Sequence, residues 1–125
     1  MAYPTDLQYT KDHEWIRVTG DTADIGITDY AQRQLGDVVF VELPEVGRTI
    51  TAGESFGSIE SVKAVSELFA PMAGEVVAVN PQLKDHPESV NSAPHDTWMV
   101  KIRLNDSAAR ESLMDAAAYE TLVKE

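Results

Sequence analysis

The stretch that decides the fold of this chain reads Gly57-Ser58-Ile59-Glu60-Ser61-Val62-Lys63-Ala64-Val65-Ser66-Glu67. Its apolar residues recur at roughly helical spacing, which is typical of an amphipathic helix with Lys63 as a solvated charge. Against a helix, Gly57 lies inside the run, several residues are β-branched, and Pro71 follows closely. Two short strands meeting near Lys63 fit about as well. Periodicity slightly favours the helix, because the centre lacks the Gly, Asn or Asp of a tight hairpin.

Outside this stretch the residues favour short strands separated by turns. Residues 15–18 predict a strand, Gly20-Asp21 is a hairpin signal, and residues 22–27 return as its partner. Thr28 and Gly36 are suitable caps, so residues 29–35 are expected to form a helix of about two turns. The close spacing of turns indicates a β architecture and argues against βαβ units.

Two segments share the pattern Gly-acid-Val-Val-x-Val, one at residues 36–41 and the other at residues 74–79. They lie on either side of Lys63, which gives weak support to a pseudo-symmetric barrel or sandwich. Residues 80–96 contain three prolines and are expected to be irregular. Residues 97–104 predict a strand, with Trp98, Val100, Ile102 and Leu104 on one face and Lys101 and Arg103 on the other.

The sequence predicts a single domain spanning residues 1–125, because its length suits one hydrophobic core. Residues 1–8 are expected to form an extended arm, residues 9–104 the β core, and residues 105–125 the C-terminal helices. Asp106 or Ser107 can cap the first of these helices, and Asp115 the second. The residues predicted to dock this segment on the β core are Leu113, Met114, Ala117, Leu122 and Val123.

The charge of the chain limits its partners. Ten Lys and Arg stand against 21 Asp and Glu, giving a formal net charge of −11. Such a chain repels nucleic acids and anionic membranes, so neither is an expected partner. The acidity either keeps a monomer soluble or steers it towards basic partner surfaces, and the sequence leaves both open. With no secretory signal or membrane span recognised, a cytoplasmic protein is expected.

No residue pattern indicates an enzyme. The chain has no cysteine, which excludes disulfides, thiolate metal sites and cysteine nucleophiles. Its histidines, His13, His86 and His95, lie in no recognisable nucleophile or metal-ligand pattern, so no metal is expected. We therefore expect a non-catalytic protein.

Lys63 is the best candidate for chemistry. Its ε-amine can be acylated if another enzyme can reach it, and the slim neighbours Val62 and Ala64 permit that approach. Glu60 and Glu67 are candidates for orienting the segment towards such an enzyme. Each glutamate taken alone fits an ordinary solvated charge at least as well.

The segment Glu60-Ser61-Val62-Lys63-Ala64-Val65-Ser66 resembles the lipoyl-attachment segment of glycine cleavage system H proteins. The resemblance covers nearly all of the chain after Gln8, and His95-Asp96-Thr97 departs from the family's usual loop. The other segments that carry it are residues 9–15, 25–32, 35–44, 71–76, 90–94 and 98–102.

The resemblance implies a mainly β fold, a barrel-sandwich hybrid of antiparallel sheets, with Lys63 at the tip of a β-hairpin. It implies lipoate as a covalent cofactor on Lys63. The supporting attachment segment would comprise Glu60, Ser61, Val62, Ala64 and Glu67.

By the same resemblance the chain is a carrier in glycine catabolism. It would shuttle an aminomethyl group from a pyridoxal-phosphate glycine decarboxylase to a tetrahydrofolate-dependent aminomethyltransferase. Dihydrolipoamide dehydrogenase would reoxidise the arm, and a lipoate-attaching enzyme would load it. A carrier gains by sheltering the labile cargo in a groove on its own surface, where carboxylates favour its ammonium. Glu14 and Glu67 are the candidates for these aminomethyl contacts, although both could be ordinary surface acids.

Other functions stay open at this point. A lipoyl domain of a 2-oxoacid dehydrogenase typically has Asp before the lysine, where this chain has Val62, and a biotin carrier has flanking methionines. A lipoyl donor to other proteins would use the same lysine. An unmodified acidic interaction domain would leave Lys63 incidental.

Overall fold

The computed structural model describes residues 3–104 and 113–123, and strands predominate there. The strands are β1 (Gln8–Tyr9), β2 (Glu14–Thr19), β3 (Thr22–Ile27), β4 (Val38–Glu42), β5 (Thr49–Ile50), β6 (Ser55–Ser61), β7 (Val65–Phe69), β8 (Gly74–Val79) and β9 (Val100–Leu104). The helices are α1 (Asp29–Leu35), α2 (Gln82–Asp85), α3 (Ser89–Ser92) and α4 (Ala116–Leu122).

The strands form two antiparallel sheets. The larger is six-stranded, in the order β1-β2-β3-β9-β8-β5, and the smaller is three-stranded, in the order β4-β6-β7. The main hydrophobic core lies between them, where Ile25 and Ile102 of the large sheet pack with Ile59 and Leu68 of the small one. The predicted mainly β fold of antiparallel sheets with short helices is confirmed.

Residues 57–67, the stretch around Lys63, lie in the β6–β7 hairpin. Glu60 pairs with Val65 and Ile59 with Ser66, so the strand interpretation is correct and the helical one is wrong. Ile59 is fully buried and packs in the main core, where it is held in register with Val41 of β4 and Ser66 of β7. The helix-like spacing of the apolar residues was therefore coincidental.

The two Gly-acid-Val-Val-x-Val segments enter different sheets. The first supplies β4, at an edge of the small sheet, and the second supplies β8, between β9 and β5 of the large one. Val41 and Val76 from these strands are both buried in the main core. The two copies thus contribute one strand each, on opposite sides of the core.

The stretch from residue 80 to 99 differs from its prediction. Residues 80–96 were expected to be irregular, yet they contain the short helices α2 and α3, and β9 begins at Val100 and not at residue 97. Met99 and Val100 are both buried, which interrupts the alternation. Just before β9, the backbone carbonyl groups of Trp98 and Met99 are both bonded by Asn80. The Asn80 N–H donates to Met99 O (3.0 Å), and its side-chain amide donates to Trp98 O (2.7 Å).

A second cluster covers the other side of β2. Its buried members come from both ends of the chain, namely Tyr3, Leu7, Tyr9, Trp15, Ala116 and Tyr119. The N-terminal arm is therefore packed over its described residues. Thr28 and Asp115 act as N-caps of α1 and α4, because their side-chain oxygens accept the N–H of Ala31 (3.3 Å) and Ala118 (2.8 Å).

The docking face of α4 differs from the predicted one. Ala117 and Leu122 are exposed, whereas Ala116 and Tyr119 are buried. The Asp115 cap determines where the helix begins, and this start places residues 116, 119 and 123 on the inner face. Leu113 and Met114 are partly buried against the two clusters, as predicted. The predicted caps Asp106 and Ser107 lie outside the described residues.

We expect Gly26→Ala to destabilise the fold by about 1–3 kcal/mol, because a Cβ at this position overlaps a buried ring. The added carbon would lie 2.5 Å from Trp15 Cε2. The Trp15 ring is fully buried and its Nε1–H donates to Pro94 O at 2.9 Å, so moving it aside would cost packing and this hydrogen bond. Urea unfolding measures the loss. A double-mutant cycle with Trp15→Phe is the control, and an undiminished cost of Gly26→Ala in the Phe background would contradict the clash.

Candidate functional site

The hairpin tip is a tight turn from Ser61 to Ala64 with Val62 and Lys63 at its centre. Ser61 N–H donates to Ala64 O at 2.8 Å. The Ser61 hydroxyl oxygen accepts the N–H of Lys63 (3.3 Å) and of Ala64 (3.0 Å). A serine side chain thus supports a turn that has no Gly or Asn. Lys63 is exposed, and Val62 is 70% exposed.

The tip is attached to the end of α1. Val62 N–H donates to Asp37 O at 3.0 Å. The Lys63 side chain lies over Gly36, where an added Cβ would be 3.4 Å from Lys63 Cε. Gly36 also has a φ of 79°, which favours glycine. The residue that ends α1 therefore leaves room for the stem of the lysine.

Asn91 on α3 holds together the segment that supports the tip, namely the end of α1 and residues 36–38, which we call the platform. Its side-chain oxygen accepts Val38 N–H at 2.8 Å, and its amide group donates to Gly36 O at 2.8 Å and to Gln32 Oε1 at 3.0 Å. It thereby joins the end of α1 to the start of β4. In the sequence Asn91 stood out only as part of a family-like segment, and no local pattern indicated these contacts.

We expect Asn91→Ala to destabilise the protein by about 1–3 kcal/mol, because partly buried backbone groups lose their partners. Amide exchange of Val62 should accelerate as well, since its acceptor Asp37 O lies on the loosened platform. Asn80→Ala is the matched control. It removes an asparagine whose side chain bonds Trp98 O and Gln82 N–H, away from the tip. Equal exchange at Val62 in both variants would contradict this role for Asn91.

A cleft of about 150 Å³ begins next to this platform. Gln34 and Leu35, the two residues before Gly36, form part of its wall. The lining residues are Asp12, His13, Ile27, Ala31, Gln34, Leu35, Ile59, Ser66, Glu67 and Leu68. The cleft thus combines an apolar floor with a polar rim, and its wall includes Leu35, the residue before the Gly36 that the stem of Lys63 approaches.

Glu14 lies directly after the cleft residues Asp12 and His13 and is only 2% exposed. Its Oε2 accepts Phe69 N–H at 2.7 Å, and its Oε1 accepts the Thr10 hydroxyl at 3.5 Å. Burial raises the pKa of the Glu14 carboxyl to about 8. Within residues 3–104 and 113–123, no basic side chain forms an ion pair with it. Glu14 is thus a buried acid next to the cleft in sequence, although it is not one of the residues that line it.

The other candidate glutamates are exposed. Glu67 borders the cleft, but its Oε1 accepts the Ser55 hydroxyl at 3.5 Å, and its register partner is Ser58. Ser66 pairs with buried Ile59, so by strand alternation Ser66, and not Glu67, shares the core-facing side. Glu60 lies between its register partners Phe40 and Val65.

His13 is a wall residue of the cleft that the sequence did not single out for a role there. It has a φ of 68°, which is uncommon for a residue other than glycine. Its Nδ1 lies 2.9 Å from the Tyr119 hydroxyl, and burial lowers the pKa of its imidazole. The tight turn from Thr10 to Glu14 produces this placement, because the Thr10 hydroxyl oxygen accepts the N–H of Asp12 and of Glu14.

The family model described as Glycine cleavage H-protein matches residues 7–125. This chain belongs to the glycine cleavage H-protein family. The glycine cleavage system H protein of Acidobacterium capsulatum is 57% identical over 125 residues, which are 100% of this chain and 97% of that protein. The protein of the same name from Geobacillus kaustophilus is 56% identical, over 100% of this chain and 99% of its own length.

A solved structure agrees with this assignment. The crystal structure of a glycine cleavage system H protein from Mycobacterium marinum aligns with a TM-score of 0.87 at 40% identity, covering 95% of this chain and 97% of that one. The resemblance inferred from the residues around Lys63 is confirmed. In this H-protein family member, no described helix is long and apolar enough to cross a membrane. Residues 3–104 and 113–123 also contain no cluster of three metal-binding side chains.

Proposed function

We propose that Lys63 carries lipoate in an amide bond and that the chain thereby serves as the non-catalytic lipoyl carrier of glycine cleavage. The observation that carries this proposal is the position of Lys63, exposed on a tight turn in a chain of the H-protein family. Ser61 and Asp37 hold the backbone of that turn, so an attaching enzyme would meet a defined loop with an exposed lysine.

The residues around Lys63 fit this group. Gly36 leaves space for the lysine stem, and Gln34 and Leu35 lead from there into the cleft. A lipoyl-lysine arm is on the order of 14 Å long, from bond lengths of about 1.5 Å. When bound, lipoate supplies a dithiolane that accepts an aminomethyl group on sulfur and is reduced and reoxidised in each cycle.

The chain's own residues shelter the cargo. The apolar floor of the cleft excludes water, and Glu14 receives the cargo's ammonium. Because burial keeps Glu14 mostly protonated at neutral pH, the carboxyl would release its proton to solvent when the ammonium of the cargo binds beside it. Glu67 at the rim is the second candidate contact. Its exposure and its contact with Ser55 make it the weaker of the two.

The exposed tip lets several enzymes reach the same arm in turn. We propose that these are glycine decarboxylase, the aminomethyltransferase, dihydrolipoamide dehydrogenase and the lipoate-attaching enzyme. The attachment segment around the tip is Glu60, Ser61, Val62, Ala64 and Glu67. Glu60 and Val62 are exposed beside Lys63 and are therefore within reach of these partners.

Intact-mass measurement with peptide mapping, on protein purified from its native host, tests the attachment. We expect the mass of one lipoyl group, located on the peptide that contains Lys63, with Lys84 and Lys101 unmodified. A population that is wholly unmodified in cells oxidising glycine would overturn the proposal and favour an acidic interaction domain.

A further inference from the structure

Tyr119 belongs to α4, yet its hydroxyl reaches two groups beside the cleft. It lies 2.6 Å from Thr28 Oγ1 and 2.9 Å from His13 Nδ1. The ring is fully buried, stacked on Tyr9 with centroids 4.8 Å apart and edge-on to Tyr3 at 5.0 Å. Packing therefore fixes the position of the Tyr119 oxygen, and the hydroxyl proton can point to only one of its two neighbours at a time.

The burial of Thr28 determines the direction of these hydrogen bonds. Thr28 is 0% exposed, and its Oγ1 already accepts the N–H of Ala31 at 3.3 Å. Among the described residues, the Thr28 hydroxyl has the Tyr119 oxygen as its one acceptor. If Tyr119 instead donated to Thr28, a buried hydroxyl proton would be left without an acceptor, which is unfavourable. Thr28 therefore donates to Tyr119, and Tyr119 donates to His13 Nδ1.

This direction has a consequence for His13. An Nδ1 that accepts a hydrogen bond carries no proton, so the neutral ring is protonated on Nε2. Burial lowers the pKa of this imidazole, which keeps the ring neutral at neutral pH, although Asp12 on the same loop acts in the opposite sense.

Other ionisable groups also surround His13. Tyr30 of α1 has its ring centroid 4.6 Å from that of His13. Glu67 of β7 borders the same cleft, and Glu14 is the next residue in the chain. With these acids nearby, a protonated imidazole would be attracted to the same carboxylates as a cationic cargo.

We propose that Tyr119 is a positioning residue of the cleft, which holds His13 as the neutral tautomer with its proton on Nε2. Two effects follow. The wall presents a hydrogen-bond donor at a defined place, and it stays free of a positive charge that would repel an ammonium ion and compete for Glu14. The tautomer follows from the contacts alone, whereas its benefit to a cationic cargo rests on the proposed function.

The test of the tautomer is ¹⁵N nuclear magnetic resonance of histidine-labelled full-length protein, followed as a function of pH. In the wild type we expect one neutral tautomer, with His13 protonated on Nε2. In Tyr119→Phe the preference should fall by about fivefold, the value of one hydrogen bond of about 1 kcal/mol. The pKa of His13 should rise, because the neutral form loses its donor.

Matched variants separate this role from simple packing. Tyr30→Phe also removes a hydroxyl from a ring that contacts His13, but no described hydrogen bond joins that hydroxyl to the imidazole, so it should change neither tautomer nor pKa. Thr28→Val removes the hydroxyl that donates to the Tyr119 oxygen, so it should weaken the tautomer preference of His13. Thr28→Ser keeps this hydroxyl and should retain the preference. Wild-type protein with the proton on Nδ1, or Tyr119→Phe and Thr28→Val without any effect, would overturn the proposal.

The second readout concerns the cargo. In the wild type, ammonia release from aminomethyl-loaded protein should become faster as the pH falls, because His13 becomes protonated. In Tyr119→Phe this acceleration should begin at a higher pH. At high pH, where His13 is neutral in both proteins, the two rates should be equal. If Tyr119→Phe changed the tautomer of His13 but not the pH at which ammonia release accelerates, the proposed effect of the His13 charge on the cargo would be wrong. If Lys63 proved to carry no lipoate, the proposed function would fail and the tautomer result would stand unaffected.

Discussion

Lys63→Arg is expected to abolish lipoylation and with it glycine oxidation, while the fold stays intact. Arginine keeps the positive charge but replaces the primary amine with a guanidinium that stays protonated and forms no lipoyl amide. Lys63 is exposed and its side chain only passes over Gly36, so the free energy of unfolding should change by less than about 0.5 kcal/mol. The measurements are intact mass and glycine oxidation with the reconstituted enzymes.

Lys84→Arg provides the matched control, because Lys84 is also exposed but lies on α2. We expect this variant to be lipoylated and active. Glycine oxidation by Lys63→Arg at the wild-type rate would refute the carrier function. Loss of activity with the lipoyl mass still present would instead place the attachment on another lysine.

Glu14→Gln is expected to leave lipoylation intact and to shorten the lifetime of the aminomethyl-loaded form by about ten- to a hundredfold. A charge-assisted hydrogen bond in a buried setting contributes about 1.5–3 kcal/mol, and glutamine cannot supply its charge. The measurement is ammonia or formaldehyde release from isolated loaded protein. Exposed Glu60→Gln serves as the control, since a solvated carboxylate contributes less than about 1 kcal/mol. Equal rates for Glu14→Gln and wild type would leave Glu67 as the remaining candidate.

The same substitution should have the opposite effect on stability. The pKa of Glu14 rises from 4.5 in the unfolded chain to about 8 in the fold. Protonation of this carboxyl therefore contributes to the stability of the fold, and the contribution is complete below pH 4.5. This contribution is lost as the pH rises through 8. Glutamine mimics the protonated form, so Glu14→Gln should unfold at a higher temperature than wild type at pH 9 and at nearly the same temperature at pH 4. A lower melting temperature at pH 9 would contradict the inferred pKa.

Together these two results would separate function from stability. A residue kept for packing loses stability on replacement, whereas Glu14 is expected to lose protection of the cargo and to gain stability. Such a pattern is typical of sites where burial of an ionisable group serves binding.

Features that depend only on residues close together in the chain could be predicted from the sequence. The caps Thr28, Gly36 and Asp115 are recognisable because a helix end needs a specific donor, acceptor or φ value within a few residues. Lys63 stood out because its amine, its slim neighbours and the surrounding segment lie next to one another in the chain. The absence of cysteine and the net charge of −11 were likewise complete in the sequence.

The remaining features depended on residues that are far apart in the chain. Periodicity could not choose between helix and hairpin around Lys63, because the choice depends on pairing with β4 and on burial of Ile59 against the opposite sheet. Asn91 clamps the platform of the tip from more than fifty residues away in sequence. Tyr119 bonds His13 across 106 positions. Such contacts leave no periodic trace, because they form only when the two sheets and the C-terminal helix have packed. The raised pKa of Glu14 belongs to this class as well, since burial in the folded protein is its largest cause and the charge of nearby Asp12 adds only a smaller contribution.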